Sequence, residues 1–171
     1  IFIKKNNFMN KHIIIILILF FFQNIQASEI IGVPKVVDGD TIHIKSYKIR
    51  LEGIDAPEMK QKCKKPYFQI IFFNFQKDYY CGQKSKKKLA EKIGNKQVKC
   101  ILYRKDRYKR YLAKCLKGSI NLNRWMVRNG YAVAYRKYSK LYILDENFAK
   151  EEKLGLWQGT FVKPEKWRKL N

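Results

Sequence analysis

The chain has 171 residues, 46% of them hydrophobic, with 37 Lys and Arg against 14 Asp and Glu, a formal charge of +23. That length and apolar content suit one compact domain, and no repeat, linker or low-complexity tract marks a second. No core requires such a charge; it points to a polyanionic partner or surface such as nucleic acid or acidic lipid, although part of the Lys excess matches an AT-rich coding bias.

The first 27 residues read as a secretory signal. Met9 is the natural start, Lys11 and His12 give the positive region, Ile13 to Phe22 the apolar run, and Gln23 to Ala27 the cleavage region. The apolar run is too short for a comfortable membrane span. The expectation is an exported protein, periplasmic or secreted, whose domain spans 28–171.

After a lead-in at 28–33, period-two patterning predicts strands at 34–37, 41–46 and 48–54. Asp38-Gly39 is a turn signal between the first two. Residues 59–81 break the pattern and read as a large loop, basic at its start and aromatic in its middle. Packing is the expectation for Phe72, Phe73 and Phe75 there; stacking on bases is the alternative. Helical spacing at 82–93 places Leu89 and Ile93 inward and Lys84, Lys86, Lys87 and Lys88 outward, with Gly94 as the stop. A hairpin follows at 97–103 and 110–116. Leu122, Trp125 and Met126 mark one face of a helix at 120–129, and 131–135 is extended. Leu141, Leu144 and Phe148 mark the expected core stripe of a helix at 141–154, and Trp157 and Trp167 would pin the tail. Short strands interspersed with about three helices give an α+β class, mainly β: a five-stranded, partly open OB-type barrel.

Cys63, Cys81, Cys100 and Cys115 form an even set, which export makes a disulfide framework. Four cysteines allow three pairings. Cys100 and Cys115 flank the turn at 106–109 symmetrically, leaving Cys63 for Cys81; each bridge would contribute roughly 3 kcal/mol. A zinc site is the alternative, but no CxxC pair is present and His43 is the one histidine nearby in type.

The chemistry concentrates between Val36 and Glu58. If 41–46 and 48–54 pair as a hairpin, Asp40 lies near Asp55, with Arg50 on the returning strand and Glu58 three residues beyond Asp55. Carboxylate oxygens, a guanidinium and a spare carboxylate are the parts for metal-assisted attack on a phosphodiester. Pro57 fixes its own φ and biases Ala56 toward an extended shape, so the Asp55–Glu58 spacing is a rigid bracket. Strict alternation puts Arg50 and Asp55 on opposite faces, so a bulge is needed, and Gly53 is the candidate. Taken singly, Asp38 and Asp40 could merely shape a turn, and Arg50 and Glu52 could form a surface ion pair. His43 reads as an exposed strand residue.

Three ordered motifs resemble the staphylococcal nuclease (thermonuclease-like) family: DGDT at 38–41, RLEGIDAPE at 50–58 and DRYKRYLA at 106–113. The similarity continues through NLNRWMVRNGYAVAY at 121–135 and Gly-Leu-Trp at 155–157, leaving out the insertion at 59–81. The resemblance implies an OB-fold nuclease that cleaves DNA and RNA with calcium, leaving 3′-phosphates; a monomer is expected, with no residue pattern that sets the oligomeric state. It implies calcium ligation by Asp40, Asp55 and the backbone carbonyl of Ala56, with Asp38 behind them. Arg50 and Arg110 would clamp the phosphate, and Glu58 would serve as general base or water-positioner. Arg107 and Tyr108 would meet the terminal phosphate, and Tyr135 the base. One departure stands out: where the family has Tyr-Gly-Arg, this chain has Tyr108-Lys109-Arg110. A positive φ at that position would strain Lys109 and alter the aim of Arg110.

Two further classes compete. A non-catalytic nucleic-acid-binding OB module explains the charge and aromatics but not the joint presence of the two aspartates, two arginines and Glu58. An envelope protein acting on anionic polysaccharide or lipid is the third.

Overall fold

The structure is a computed structural model that describes residues 28–70 and 73–171. The expected signal segment at 1–27, and Phe72, lie outside the described residues. Eleven strands and four helices are present among the described residues. The strands are β1 (Ser28–Gly32), β2 (Lys35–Val36), β3 (Thr41–Ile44), β4 (Tyr47–Leu51), β5 (Ile54–Asp55), β6 (Lys62–Ile70), β7 (Phe73–Tyr80), β8 (Val98–Lys105), β9 (Tyr111–Lys117), β10 (Ile120–Asn121) and β11 (Val133–Ala134). The helices are α1 (Cys81–Ile93), α2 (Leu122–Arg128), α3 (Ile143–Glu151) and α4 (Pro164–Leu170), with a 3-10 turn at Gly155–Gln158. None of these helices is long and apolar enough to cross a membrane.

The main sheet runs β1-β8-β9-β4-β3-β2, with β10 added on β9. Its pairings are antiparallel except β4 with β9, which is parallel and sets Arg50 opposite Leu112. The sheet curls without closing. At Gly32 the approach is so tight that a Cβ would lie 2.7 Å from Cγ2 of Ile44 on β3, although β1 and β3 are not neighbours in the ladder. The α+β class and OB-like order hold, but the expected five-stranded barrel with three helices is corrected to an open seven-stranded sheet with four helices among the described residues. The short pairs β5–β11 and β6–β7 stand apart from it.

The alternating residues of β3 and β4 build the core. Ile42, Ile44, Ile49 and Leu51 are fully buried against Leu89 and Ile93 of α1 and Leu122 and Met126 of α2. Burying such aliphatic side chains stabilises by about 1.5–3 kcal/mol each. Asn123, also fully buried, ties α2 to the sheet. Its Nδ2 donates to the carbonyls of Glu52 and Ala113, and its Oδ1 accepts from the Cys115 N–H.

Four expectations change. The lead-in expected at 28–33 is strand β1, which pairs antiparallel with β8. The strand at 48–54 breaks after Leu51, because Gly53 takes φ +77° and turns the chain so that β5 pairs with β11 instead. Residues 59–81 are a hairpin, β6–β7, closed at its base by Cys63–Cys81, and Phe75 is half exposed on it rather than packed. The helix expected at 141–154 runs Ile143–Glu151; Leu141, before it, and Leu144 are exposed, and Asp145, Glu146 and Ala149 are its buried face. Paired cations allow this: Glu146 meets Arg136 and Lys150, and Asp145 meets Arg124 and Arg128. Both expected disulfides form, Cys63–Cys81 and Cys100–Cys115, the latter directly opposite across β8–β9. With every cysteine bridged, the zinc alternative is closed.

Candidate active site

The site gathers at one end of β3–β4. The Asp38-Gly39 turn delivers Asp40 to the start of β3, with the Asp40 N–H donating to Oδ1 of Asp38 at 2.9 Å. Thr41 pairs with Arg50 across the ladder, which sets the Arg50 side chain beside Asp40. Nη1 of Arg50 donates to Oδ1 of Asp40 at 2.6 Å, and Nη2 to Oδ1 of Asp55 at 3.1 Å. The bend at Gly53 makes the second contact available. Oδ2 of Asp40 accepts the Ala56 N–H at 2.9 Å, so the two acidic loops are stitched through backbone as well as charge.

Glu58 sits at the mouth of the site. Buried Gln61 braces its backbone: the Glu58 N–H donates to Oε1 of Gln61, and the Gln61 N–H returns to the Glu58 carbonyl. The Glu58 side chain is 39% exposed and accepts from Nη1 of Arg168 at 2.8 Å. Arg168, on α4, also grips Asp55, with Nη1 on Oδ1 and Nη2 on Oδ2, both at 3.0 Å. The sequence reading missed Arg168, because it lies in an unpatterned basic tail.

Arg110 reaches the edge of the group. Its Nη1 lies 3.4 Å from Oγ1 of Thr41, while its Nε and Nη2 are paired with Asp106. Asp106 organises the loop, taking the N–H groups of Tyr108 and Arg110 on Oδ1. Lys109 does adopt φ +61°, the left-handed conformation that glycine would take without strain. Arg107 and Arg110 flank the ring of exposed Tyr108 at 4.8 and 5.3 Å from its centroid, at the loop tip and away from the carboxylates' direct contacts. Tyr135 donates its N–H to the Gly53 carbonyl and lines a cavity of about 340 Å³ that opens beside Asp55. Arg136, Lys137, Lys163 and, from α4, Lys166 and Lys169 complete its basic wall. His43 stays in the β3 ladder, remote from these contacts.

The electrostatics are those of crowded carboxylates. Burial, with the Asp40 charge added, pushes the Asp38 carboxyl up to about 6. Burial also raises Asp55, against the hydrogen bonds and charge of Arg168 and the charge of Arg50. No cluster of three His, Cys, Asp or Glu side chains with metal-ligand geometry occurs among the described residues. The chemistry of the donors nevertheless fits a hard divalent cation. Asp40 and Asp55 offer oxygen only, and with Asp38 behind them the three carboxylates outnumber the two guanidiniums, Arg50 and Arg168, that pair with them.

An OB-like sheet with paired acids and a shared arginine at its end is the frame in which comparison with known sequences is set. Residues 48–159 match the family described as "Staphylococcal nuclease homologue", and the chain belongs to that family. It is 35% identical over 145 residues to an "Uncharacterized endonuclease" of Haemophilus influenzae, covering 80% of this chain and 71% of that protein. It is 33% identical over 168 residues to an "Uncharacterized endonuclease" of Escherichia coli, covering 94% and 98%. A "Succinoglycan biosynthesis protein ExoI" of Rhizobium meliloti is 33% identical over 135 residues, covering 77% and 66%. Family membership supports a nuclease-type function.

Proposed function

We propose that the chain is an exported, calcium-dependent nuclease that hydrolyses phosphodiester bonds of DNA and RNA, acting as a monomer through residues 28–171. The observation that carries the reading is the single guanidinium of Arg50 held between two buried aspartates, 2.6 Å from one and 3.1 Å from the other. A structural ion pair needs one acid; two buried acids converging on Arg50 at a sheet end, the second of them also held by Arg168, suit a cation and a phosphate together.

In this reading Asp40, Asp55 and the carbonyl of Ala56 hold the cation. Calcium bound there would neutralise a phosphate oxygen and orient water. Arg50 engages its carboxylate partners with part of its fork and keeps further N–H donors for a phosphate oxygen, where charge rises in the transition state. Arg110 approaches from Thr41 and adds a second fork once Asp106 shares it with the substrate. Glu58, braced by Gln61 and open to solvent, positions the attacking water and accepts its proton. Tyr108 and Arg107 meet the terminal phosphate, and Tyr135 stacks near the base.

The test is digestion of DNA and RNA with calcium, with magnesium and with chelator, for the native chain and for Arg50→Ala and Glu58→Ala. Cleavage that chelator abolishes, and that falls by orders of magnitude in both folded variants, is expected. Full turnover in either variant removes that residue's role. A second reading, a non-catalytic nucleic-acid-binding module, draws on the grip of Arg168 on both Asp55 and Glu58. Salt-sensitive binding without cleavage under every cation would select it.

A further inference from the structure

Helix α4 lies beyond the family-matched segment, which ends at residue 159. The chain leading to it is fastened independently of the site. The Lys64 N–H donates to the Thr160 carbonyl at 2.9 Å, and Nε2 of Gln61 donates to the Val162 carbonyl at 2.6 Å. The helix itself is lightly held. Pro164 is buried and Trp167 half-buried, Lys166, Lys169 and Leu170 face solvent, and the Lys169–Glu165 pair is internal to it. Its ion pairs to the rest of the domain, among the described residues, are those of Arg168 with Asp55 and Glu58.

That grip covers both oxygens of Asp55, and a third N–H, from Arg50, shares one of them. A calcium ion binds carboxylate oxygens at roughly 2.3–2.6 Å and uses the same lone pairs. A guanidinium donating at 3.0 Å to each oxygen would then stand against a like-charged ion at close range. With three N–H groups already on the roughly four lone-pair sites of Asp55, the two occupants compete for it. We propose that Arg168 is a further residue of this site, one that competes with the divalent cation for Asp55 and makes α4 a strap which cation binding opens. The inference rests on the cation reading given under the proposed function and adds to it that a segment outside the family domain sets the cation affinity. Once released, Arg168 remains tethered at 160–162, so the strap can close again when the cation leaves.

The experiment titrates calcium alone into the full disulfide-bonded chain by calorimetry, for the native protein, Arg168→Ala and Arg168→Lys. Backbone hydrogen exchange of 164–170 is followed in the native protein with and without saturating calcium. The expected result is calcium binding at least ten-fold tighter for Arg168→Ala than for the native chain, with Arg168→Lys between them because a point charge lacks the fork. Exchange of 164–170 should accelerate when calcium is added. Equal or weaker binding by Arg168→Ala, or unchanged exchange at saturation, overturns the strap and leaves the cation site standing. No calcium binding by any of the three overturns both.

Discussion

Replacing Arg50 with Met tests how the two acidic loops are held. Asp40 and Asp55 are 4% and 1% exposed, so neither can regain water without the site opening. Arg50→Met removes the bonds of 2.6 Å to Asp40 and 3.1 Å to Asp55. Asp55 keeps Arg168, whereas among the described residues Asp40 keeps the Thr41 hydroxyl and the Ala56 N–H. Stranding a buried charge by removing its partner costs about 3–5 kcal/mol. Since one of the two acids retains a cation, the expected loss is near the lower end, about 3 kcal/mol, a large part of the ~5–15 kcal/mol that a domain has. The thermal midpoint should fall by roughly 6–12 °C for a chain of this size. The assay is urea unfolding at neutral pH followed by tryptophan fluorescence, on the native chain, Arg50→Met, Asp40→Asn and the double variant. If the stranded charge is the cause, Asp40→Asn in the Arg50→Met background should recover at least about 1 kcal/mol, a coupling that contact between neighbours demands. A loss below about 1 kcal/mol, or no recovery in the double variant, refutes the reasoning.

Three other substitutions have calculable outcomes. Asn123→Ala removes three hydrogen bonds and leaves the Cys115 N–H unpaired; the expected cost is roughly 3 kcal/mol in urea unfolding, and Asn123→Asp should cost more, because its oxygen would face two carbonyls. Burial acts to raise the Glu146 carboxyl, but hydrogen bonds from Arg136 and Lys150 outweigh it and hold the group below the usual carboxylate range. Its stabilising contribution is therefore present above the unfolded value of about 4.3 and lost as pH falls through the lower folded value. Glu146→Gln should be less stable than the native chain at neutral pH, with the gap closing in acid; a pH-independent gap in thermal midpoint would contradict this. Lys109→Gly relieves a left-handed conformation worth about 1–2 kcal/mol, offset by about 0.5–1 kcal/mol of glycine's backbone entropy, so the urea midpoint should rise slightly, and a lower midpoint would speak against strain there.

What could be read in advance divides along physical lines. Local signals were strong where turn chemistry and alternation agree. Asp38-Gly39 before Thr41–Ile44 fixed one strand start, and the symmetric placement of Cys100 and Cys115 about the 106–109 turn gave their cross-strand pair. The need for a bend at Gly53 was legible because alternation alone set Arg50 and Asp55 on opposite faces, and φ +77° there supplies it. Non-local charge pairing was not legible. Asp145 and Glu146 look like solvent-facing residues until Arg124, Arg128, Arg136 and Lys150 are brought beside them, which displaces Leu144 to the surface. Arg168 carried no signal among the basic residues of the tail, and its partners lie more than a hundred positions earlier. The hairpin at 62–80 was hidden because its exposed aromatics have no inward–outward contrast to betray a strand.

The parallel pairing of β4 with β9 has a consequence for how this protein comes into being. Arg50 and Arg110 belong to stretches that this ladder brings together, since Ile49 aligns with Tyr111 and Arg50 with Leu112. Such long-range closure is slow compared with helix or hairpin formation. A nascent polypeptide that has emerged past Glu58 but not as far as residue 110 therefore holds its acidic loops without the second guanidinium. The group closes when β9 docks on β4.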